Sequence, residues 1–139
     1  MSKTYNADGV EYTLTEMMTA TAIHSYWTVT GFRYDLDRAY IRQEIQNIPV
    51  TEIADEVAYQ HEYLKEVYIP SSVDNIGKYA FAYCSELEFV HLLNKGEDLA
   101  LGDEAFSGCE KLVTVFGNRL LYLFGEKVFQ GCKKLLSIL

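Results

Sequence analysis

The sequence predicts a β-rich repeat solenoid, because one pattern recurs along the chain at a nearly fixed period. Three clear copies occupy residues 76–87, 101–112 and 124–135, and a fainter copy occupies residues 53–64. The steps between equivalent positions are 23, 25 and 23 residues, counted along His61, Cys84, Cys109 and Cys132. A period in the twenties is typical of solenoids, in which each repeat buries its apolar side on its neighbours and the array presents an extended surface to a partner.

Each repeat is predicted to contain one strand, one tight corner and one buried ring. The strands are predicted within the aligned apolar segments 64–70, 87–92 and 112–116. The corners are predicted at Gly77, Gly102 and Gly125, where the chain must bend and a Cβ atom would be unwelcome. The rings are Phe81, Phe106 and Phe129, which we expect to stack as a column between the layers.

These segments resemble the BspA-like leucine-rich repeat family of bacterial proteins, whose repeat reads approximately LxxVxIPxxVxxIGxxAFxxCxxL. The resemblance covers residues 48–139 and implies a short leucine-rich repeat right-handed solenoid of about four repeats. The departures are two extra residues within 93–99 and Gly117-Asn118 in place of Ile69-Pro70. Family members usually act as surface or interaction modules without chemistry of their own, which implies the same for this chain.

Residues 1–47 do not fit the repeat and are predicted to form a β-hairpin that serves as an N-terminal cap. The predicted parts are a strand carrying Val10, Tyr12 and Leu14, a turn at residues 15–18 and a second strand within residues 19–29. Because a solenoid needs its first rung covered, a hairpin that carries Trp27 and several tyrosines suits this place.

The segment 34–48 permits two assignments. Asp35 or Asp37 could N-cap a short helix, whereas residues 39–45, which precede Pro49, look like a degenerate repeat strand of the same family. We favour the strand. Nothing in the sequence resembles a linker, so residues 1–139 are predicted to form a single domain, with the cap at 1–47 and the repeats at 48–139.

The charge of the chain is acidic and uneven. The net charge is −8, of which residues 1–76 carry −7 (5 Lys and Arg against 12 Asp and Glu). Phosphate backbones repel such a chain, so we expect no direct nucleic-acid binding. The acidic half is interpreted either as a solvated surface that aids solubility or as a nucleic-acid mimic. In the second case the chain would be a small inhibitor of a nucleic-acid-handling enzyme, of the phage or mobile-element type.

The location expected for the chain depends on its N-terminus. No apolar run approaches the ~18 residues of a membrane span, and residues 1–9 lack the apolar core of a signal peptide. The chain as given is therefore expected in the cytoplasm, with no membrane span. The family resemblance implies the cell surface instead, if a leader has been removed.

One histidine and three cysteines form a tempting zinc set, but the repeat geometry argues against it. Equivalent positions on successive rungs lie ~4.8 Å apart, whereas zinc needs four ligand atoms within about 2.3 Å of one point. We therefore expect a structural ladder of small buried residues at His61, Cys84, Cys109 and Cys132, no metal and reduced thiols.

Sequence signatures of catalysis are missing. No histidine has a neighbouring Ser or Cys at a nucleophile elbow, no H-E-x-x-H motif is present, and no glycine-rich phosphate loop occurs. The acidic pairs Asp55-Glu56 and Asp103-Glu104 fall at one repeat position and are interpreted as solvated turn residues. We predict no enzyme activity and no cofactor.

The outward residues of the repeat strand are the predicted binding site. Side chains alternate along a strand, so one outward position should align Tyr68, His91, Phe116 and Leu139, with Phe89 and Thr114 beside them. Contiguous exposed aromatic surface is typical of binding sites. The predicted partner-binding residues are Tyr68, Phe89, His91 and Phe116. The sequence thus favours a non-catalytic module for an unidentified protein partner; a structural repeat fragment of a bacterial surface protein is the alternative in another class.

The C-terminus is predicted to self-associate. The last repeat ends in an apolar strand without a polar capping unit, and an uncovered edge invites pairing with another chain. The predicted homodimer edge comprises Leu135, Leu136, Ile138 and Leu139.

Overall fold

The computed structural model describes residues 3–93, 99–117 and 121–138, and for residues 116, 117, 121–124, 137 and 138 it describes the backbone. These residues form a β-solenoid of about four turns without a helix, as predicted. In the part of the chain so described, no helix is long and apolar enough to cross a membrane. The strands are β1 Lys3–Ala7, β2 Val10–Met18, β3 Ile23–Phe32, β4 Arg38–Tyr40, β5 Glu44–Ile45, β6 Ile48–Ile53, β7 Glu66–Ile69, β8 Asn75–Ile76, β9 Phe89–Leu92, β10 Leu99–Leu101, β11 Thr114–Gly117, β12 Leu121–Phe124 and β13 Ser137–Ile138.

Two sheets face each other across the core. One has the order β1-β2-β3-β6-β8-β10-β12, with β5 beside β6, and the other has the order β4-β7-β9-β11-β13. Each repeat turn gives one strand to each sheet, and successive turns pair in parallel. The period of the sequence therefore sets the register, with Glu66 opposite Phe89 and Tyr68 opposite His91.

The tight corners need glycine because two turns of backbone approach closely there. A Cβ atom on Gly102 would lie 2.6 Å from the backbone nitrogen of Lys78, and one on Gly77 would overlap the backbone of Asp55. Asp55 and Asp103 are also more than solvated turn residues. The Oδ1 atom of Asp55 accepts the Lys78 N–H at 2.8 Å, so this side chain links one turn to the next.

The phenylalanine column forms as predicted. The Phe81 and Phe106 rings stack at 5.3 Å between centroids, and Phe106 stacks on Phe129 at 5.6 Å. The first turn has Ala58 in place of the ring, and Phe32 of β3 packs on Phe81 instead, at 5.9 Å. An N-terminal strand thus supplies the ring that the degenerate repeat lacks.

The N-terminal residues form more strands than the predicted hairpin. β2 and β3 pair antiparallel, but β2 continues to Met18, so the predicted turn at 15–18 is wrong. The turn follows it, where the Thr19 N–H donates to the Ala22 carbonyl at 2.8 Å. β1 adds a third antiparallel strand, and β3 joins the solenoid by pairing in parallel with β6.

The ambiguous segment 34–48 contains a repeat strand rather than a helix. β4 pairs in parallel with β7, so Arg38–Tyr40 is the first strand of the five-stranded sheet. The residues after it lie against the N-terminal strands, since Ile45 is buried and its carbonyl accepts the indole N–H of Trp27 at 3.1 Å.

Candidate interaction face

An aromatic column runs across the outer side of the five-stranded sheet. It consists of Tyr40 on β4, Tyr68 on β7 and His91 on β9, which occupy paired positions on neighbouring strands. The Tyr40 and Tyr68 rings stack at 4.6 Å with an 11° angle between their planes, and the Tyr68 and His91 rings stack at 4.2 Å with a 5° angle. The strand pairing thus holds three rings in one ordered stack.

The predicted site residues fall on this face as far as their side chains are described. Phe89 lies beside the column, with its ring centroid 6.3 Å from that of His91. The backbone of Phe116 pairs with that of His91 and takes the next place, but its side chain is outside the described part. Leu139 is outside the described residues altogether. The role of these residues in binding stays a prediction.

The Glu66 carboxylate lies close to two members of the column, Tyr68 and His91. The Tyr68 hydroxyl donates to Glu66 Oε2 at 2.7 Å, and His91 Nε2 lies 3.4 Å from the same oxygen. The hydrogen bond from Tyr68 lowers the pKa of Glu66 and raises the pKa of Tyr68 to about 12. The carboxylate therefore stays ionised on this face and fixes the Tyr68 ring.

Replacing Tyr68 with phenylalanine should raise the pKa of Glu66 toward its ordinary value of 4.5, because the hydrogen bond that stabilises the carboxylate is lost. Since Glu66 has a lowered pKa in the folded state, its contribution to stability is complete above pH 4.5 and is lost as the pH falls through the lower folded-state value. Carboxyl NMR shifts followed against pH give the measurement. Tyr79→Phe is the control, since Tyr79 donates to Glu104 instead; an unchanged Glu66 titration in Tyr68→Phe would show that the bond does not form.

The exposure of the face is graded. Tyr40 is 52% exposed, the His91 side chain is 25% exposed, and Tyr68 and Phe89 are half-buried. Because each ring covers the faces of its neighbours, the column presents mainly ring edges outward, and Tyr40 at its end also presents a ring face. Sequence reasoning missed Tyr40, although Ala39-Tyr40-Ile41 aligns with Val67-Tyr68-Ile69.

A second aromatic surface lies away from this sheet. Tyr34 is 78% exposed, and with Tyr59 and Tyr63 it borders an open cavity of about 310 Å3. The Tyr59 ring makes edge-to-face contacts with Tyr79 and Tyr83 at 6.3 and 5.9 Å. These rings sit in turns rather than in paired strands, so they form no continuous stack.

The cysteines form a regular ladder. Each thiol donates to a carbonyl of the previous turn, at 3.1 Å from Cys84 to Ala58, 3.0 Å from Cys109 to Phe81 and 3.1 Å from Cys132 to Phe106. Burial raises the pKa of Cys132 to about 12, and the neighbouring Cys84 thiol together with burial raises that of Cys109. The three thiols therefore link successive turns by hydrogen bonds. Among the described residues, no group of three or more potential ligands converges on one point.

His61 differs from the small ladder residue that the repeat predicts. Its Nδ1 accepts the backbone N–H groups of Tyr63 and Leu64 at 3.2 and 3.1 Å, and its Nε2 lies 2.9 Å from the carbonyl oxygen of Arg33. Since Nδ1 faces donors and Nε2 faces an acceptor, the ring is neutral with its proton on Nε2. His61 therefore ties the first repeat turn to the segment that leads into β4.

Three carboxylates of the acidic half lie close together at β6, namely Glu52 on the strand itself and the nearby Asp55 and Asp74. Burial raises the pKa of Glu52, and the charges of Asp74 and Asp55 raise it further. Among the described residues before 77, Arg33 pairs with Asp35 and Arg42 pairs with Asp8. The acidic side chains of this half outnumber the basic ones, so most of them cannot be paired. This surface carries a net negative field.

The predicted dimer edge is described in part. β13 forms the last strand of the five-stranded sheet; Leu136 is 82% exposed, whereas Leu135 is half-buried against the core. The side chain of Ile138 and the whole of Leu139 are outside the described residues. The homodimer stays a prediction.

Paired parallel strands, glycine-bounded corners and a stacked phenylalanine column define a leucine-rich repeat β-solenoid. The model of the BspA type leucine rich repeat region matches residues 42–139 in six copies. The chain belongs to this family, as its repeat indicated. The search of the curated proteins gives no significant match.

Solved structures support the fold. The chain is similar to a leucine-rich repeat protein from Bacteroides capillosus ATCC 29799, with 24% identity, a TM-score of 0.62 and coverage of 80% of this chain and 79% of that one. A leucine rich cell surface protein from Faecalibacterium prausnitzii A2-165 is 22% identical, with a TM-score of 0.63 and coverage of 98% and 42%. The T. pallidum leucine rich repeat protein is 20% identical, with a TM-score of 0.57 and coverage of 98% and 81%.

Proposed function

We propose that this chain is a non-catalytic protein-interaction module that binds a protein partner through the outer side of its five-stranded sheet. The binding residues are Tyr68, Phe89, His91 and Phe116, together with Tyr40. The observation that supports the proposal most is the ordered ring stack from Tyr40 to His91. Rings fixed before binding lose little conformational entropy when a partner arrives, and aromatic side chains dominate the energetics of interfaces.

The chemistry of the face favours a partner with both apolar and hydrogen-bonding groups. The ring edges supply apolar contact, while the Glu66 carboxylate beneath them remains charged. Partly exposed aromatic rings are enriched in interfaces, in which a few anchors carry most of the binding energy. The cell surface protein from Faecalibacterium prausnitzii has the same fold, which is consistent with an interaction role outside the cell.

Alanine at Tyr68 or at Phe89 is expected to weaken partner binding by about 1–3 kcal/mol each, because each substitution removes an aromatic anchor from the face. The partner is first captured from extracts of the native host on immobilised protein, and its affinity is then measured by calorimetric titration. Tyr34→Ala is the matched control, since it removes an exposed tyrosine that lies away from the sheet. If both face variants bind like the parent, or if Tyr34→Ala weakens binding equally, this face is not the binding site.

A second candidate function is supported by the carboxylates beside β6 and the charge of −7 in residues 1–76. The chain would then be an acidic inhibitor of a nucleic-acid-handling enzyme. The association rate with the captured partner, measured against salt concentration, distinguishes the two functions. An inhibitor steered by its charge should associate at a rate that falls steeply with added salt. A rate that does not change with salt would leave the aromatic face as the carrier of binding.

A further inference from the structure

The five-stranded sheet begins with a free edge at β4. In the described part of the chain β4 pairs with β7 alone. The Asp37 carbonyl accepts the Lys65 N–H at 2.7 Å, and the Ile41 N–H donates to the Tyr68 carbonyl at 3.1 Å. Alternate residues of a strand bond to the same side, so the backbone N–H and C=O groups of Arg38 and Tyr40 point away from β7.

The shape of the N-terminal end limits what can pair with this edge. The eight-stranded sheet extends two strands, β2 and β1, beyond β3, whereas the five-stranded sheet stops at β4. At a strand spacing of ~4.8 Å, this overhang projects about 10 Å past the edge. The flat end of a second solenoid would meet the overhang before it reached β4. A single extended strand is thin enough to lie beside it.

The side chains of β4 indicate what such a strand should carry. One face of the Tyr40 ring lies on Tyr68, and the stack repeats at 4.6 and 4.2 Å, close to the spacing of strands. An added strand would therefore place a ring on the remaining face of Tyr40. Arg38 lies opposite Glu66 of β7. A carboxylate on the added strand could face Arg38 from the other side in the same way. Ala39 is fully buried, so the inward residue opposite it should be small.

We propose that the free edge of β4 binds an extended segment of a partner protein by strand addition. The segment would carry an aromatic residue opposite Tyr40, a small apolar residue opposite Ala39 and an acidic residue opposite Arg38. The backbone groups of Arg38 and Tyr40 supply the hydrogen bonds, and the side chains supply the specificity. This inference rests on the proposed function in one respect, since Tyr40 is the end of the aromatic column through which the partner is proposed to bind.

Amide hydrogen exchange measured by NMR on the intact chain tests the edge itself. The amides of Ala39 and Ile41 are expected to exchange slowly because they bond to β7, and those of Arg38 and Tyr40 are expected to exchange rapidly. Slow exchange at Arg38 and Tyr40 in the free protein would mean that the edge is already covered and would overturn the proposal.

A peptide with the sequence of residues 65–70 tests the pairing. This sequence places Glu66 opposite Arg38 and Tyr68 opposite Tyr40 in the native sheet, so it carries the required chemistry. Added to the intact protein at up to millimolar concentration, it is expected to bind saturably and to slow exchange at Arg38 and Tyr40. A scrambled peptide of the same composition is the control. Failure of the residue 65–70 peptide to bind would overturn the proposal.

Three variants assign the binding to β4. Arg38→Pro removes the outward N–H without touching a bond to β7 and should abolish peptide binding, whereas Arg38→Ala keeps that N–H and should weaken binding at most about threefold. Tyr40→Ala should weaken it about threefold to tenfold. Full binding by a folded Arg38→Pro variant would overturn the proposal. If that variant does not fold, unchanged binding by Tyr40→Ala does so instead.

Failure of this inference is distinguishable from failure of the proposed function. Phe89→Ala changes the middle of the face but leaves the β4 edge intact. It should therefore weaken binding of the natural partner and leave peptide binding unchanged. If the parent protein does not bind the peptide and Phe89→Ala weakens binding of the natural partner, the proposed function holds and the edge site does not.

Discussion

Replacing Phe106 with alanine should lower the free energy of unfolding by about 3–5 kcal/mol. Phe106 is 1% exposed and stacks on rings of both neighbouring turns, Phe81 at 5.3 Å and Phe129 at 5.6 Å. The substitution therefore leaves a cavity in the middle of the array, where the parallel strands on either side cannot close together without losing their register. Since a domain is stable by only about 5–15 kcal/mol, this is a large fraction of the total.

Urea unfolding followed by circular dichroism measures this effect. Phe129→Ala is the matched control, because Phe129 stands later in the column and is only half-buried. Its substitution should have a smaller effect, as the site is already partly open to water. If Phe129→Ala destabilises the protein as much as Phe106→Ala does, burial of the ring does not set the size of the loss. An unchanged free energy of unfolding in Phe106→Ala would show that the column does not carry the stability of the central turns.

Replacing Trp27 with alanine is expected to have a similar effect, about 3–5 kcal/mol. The Trp27 side chain is 1% exposed, and its indole N–H donates to the carbonyl of Ile45 at 3.1 Å. It therefore both fills the space behind β3 and anchors the segment that follows β4. The loss should appear in urea unfolding, with circular dichroism as the probe because Trp27 is the only tryptophan of the chain.

Trp27→Phe separates the two roles of the indole. Phenylalanine keeps most of the apolar contact but cannot donate to Ile45, so this variant should lose much less stability than Trp27→Ala. The residual loss should be about 1–3 kcal/mol, the penalty for a buried carbonyl without its donor. Equal losses in both variants would assign the whole effect to the hydrogen bond and contradict the packing argument.

The period of the sequence predicted the solenoid because stacked turns must repeat the same contacts. A residue type that recurs at one position, such as Phe81 and Phe106 or Cys84 and Cys109, lies at one place in every turn. The phenylalanine column and the thiol ladder follow from this without further information. The same alternation put Tyr68 and His91 on one outward line, and the parallel register of β7 and β9 follows from the same repeat.

The N-terminal end could be predicted only in outline. A hairpin was predicted from the alternation in β2, but its turn lies later, at 19–22, because exposed residues such as Met17 and Met18 extend the strand without an apolar pattern. β1 is an edge strand that is exposed at Lys3 and Thr4 and alternates only from Tyr5 to Ala7, which is too short a pattern to predict a strand. Strand pairing, rather than side-chain periodicity, fixes both features.

The sequence by itself determined the repeat, its corners, the buried column and the line of outward aromatic residues, since all of these follow from local periodicity. Only the tertiary structure decided the contacts that join residues without a shared period. Phe32 replaces the ring missing at Ala58, and His61 bonds to the Arg33 carbonyl. Both contacts lie where the repeats meet the non-repeating N-terminal segment. There the path of the chain, rather than the repeat pattern of the sequence, decides which residues meet.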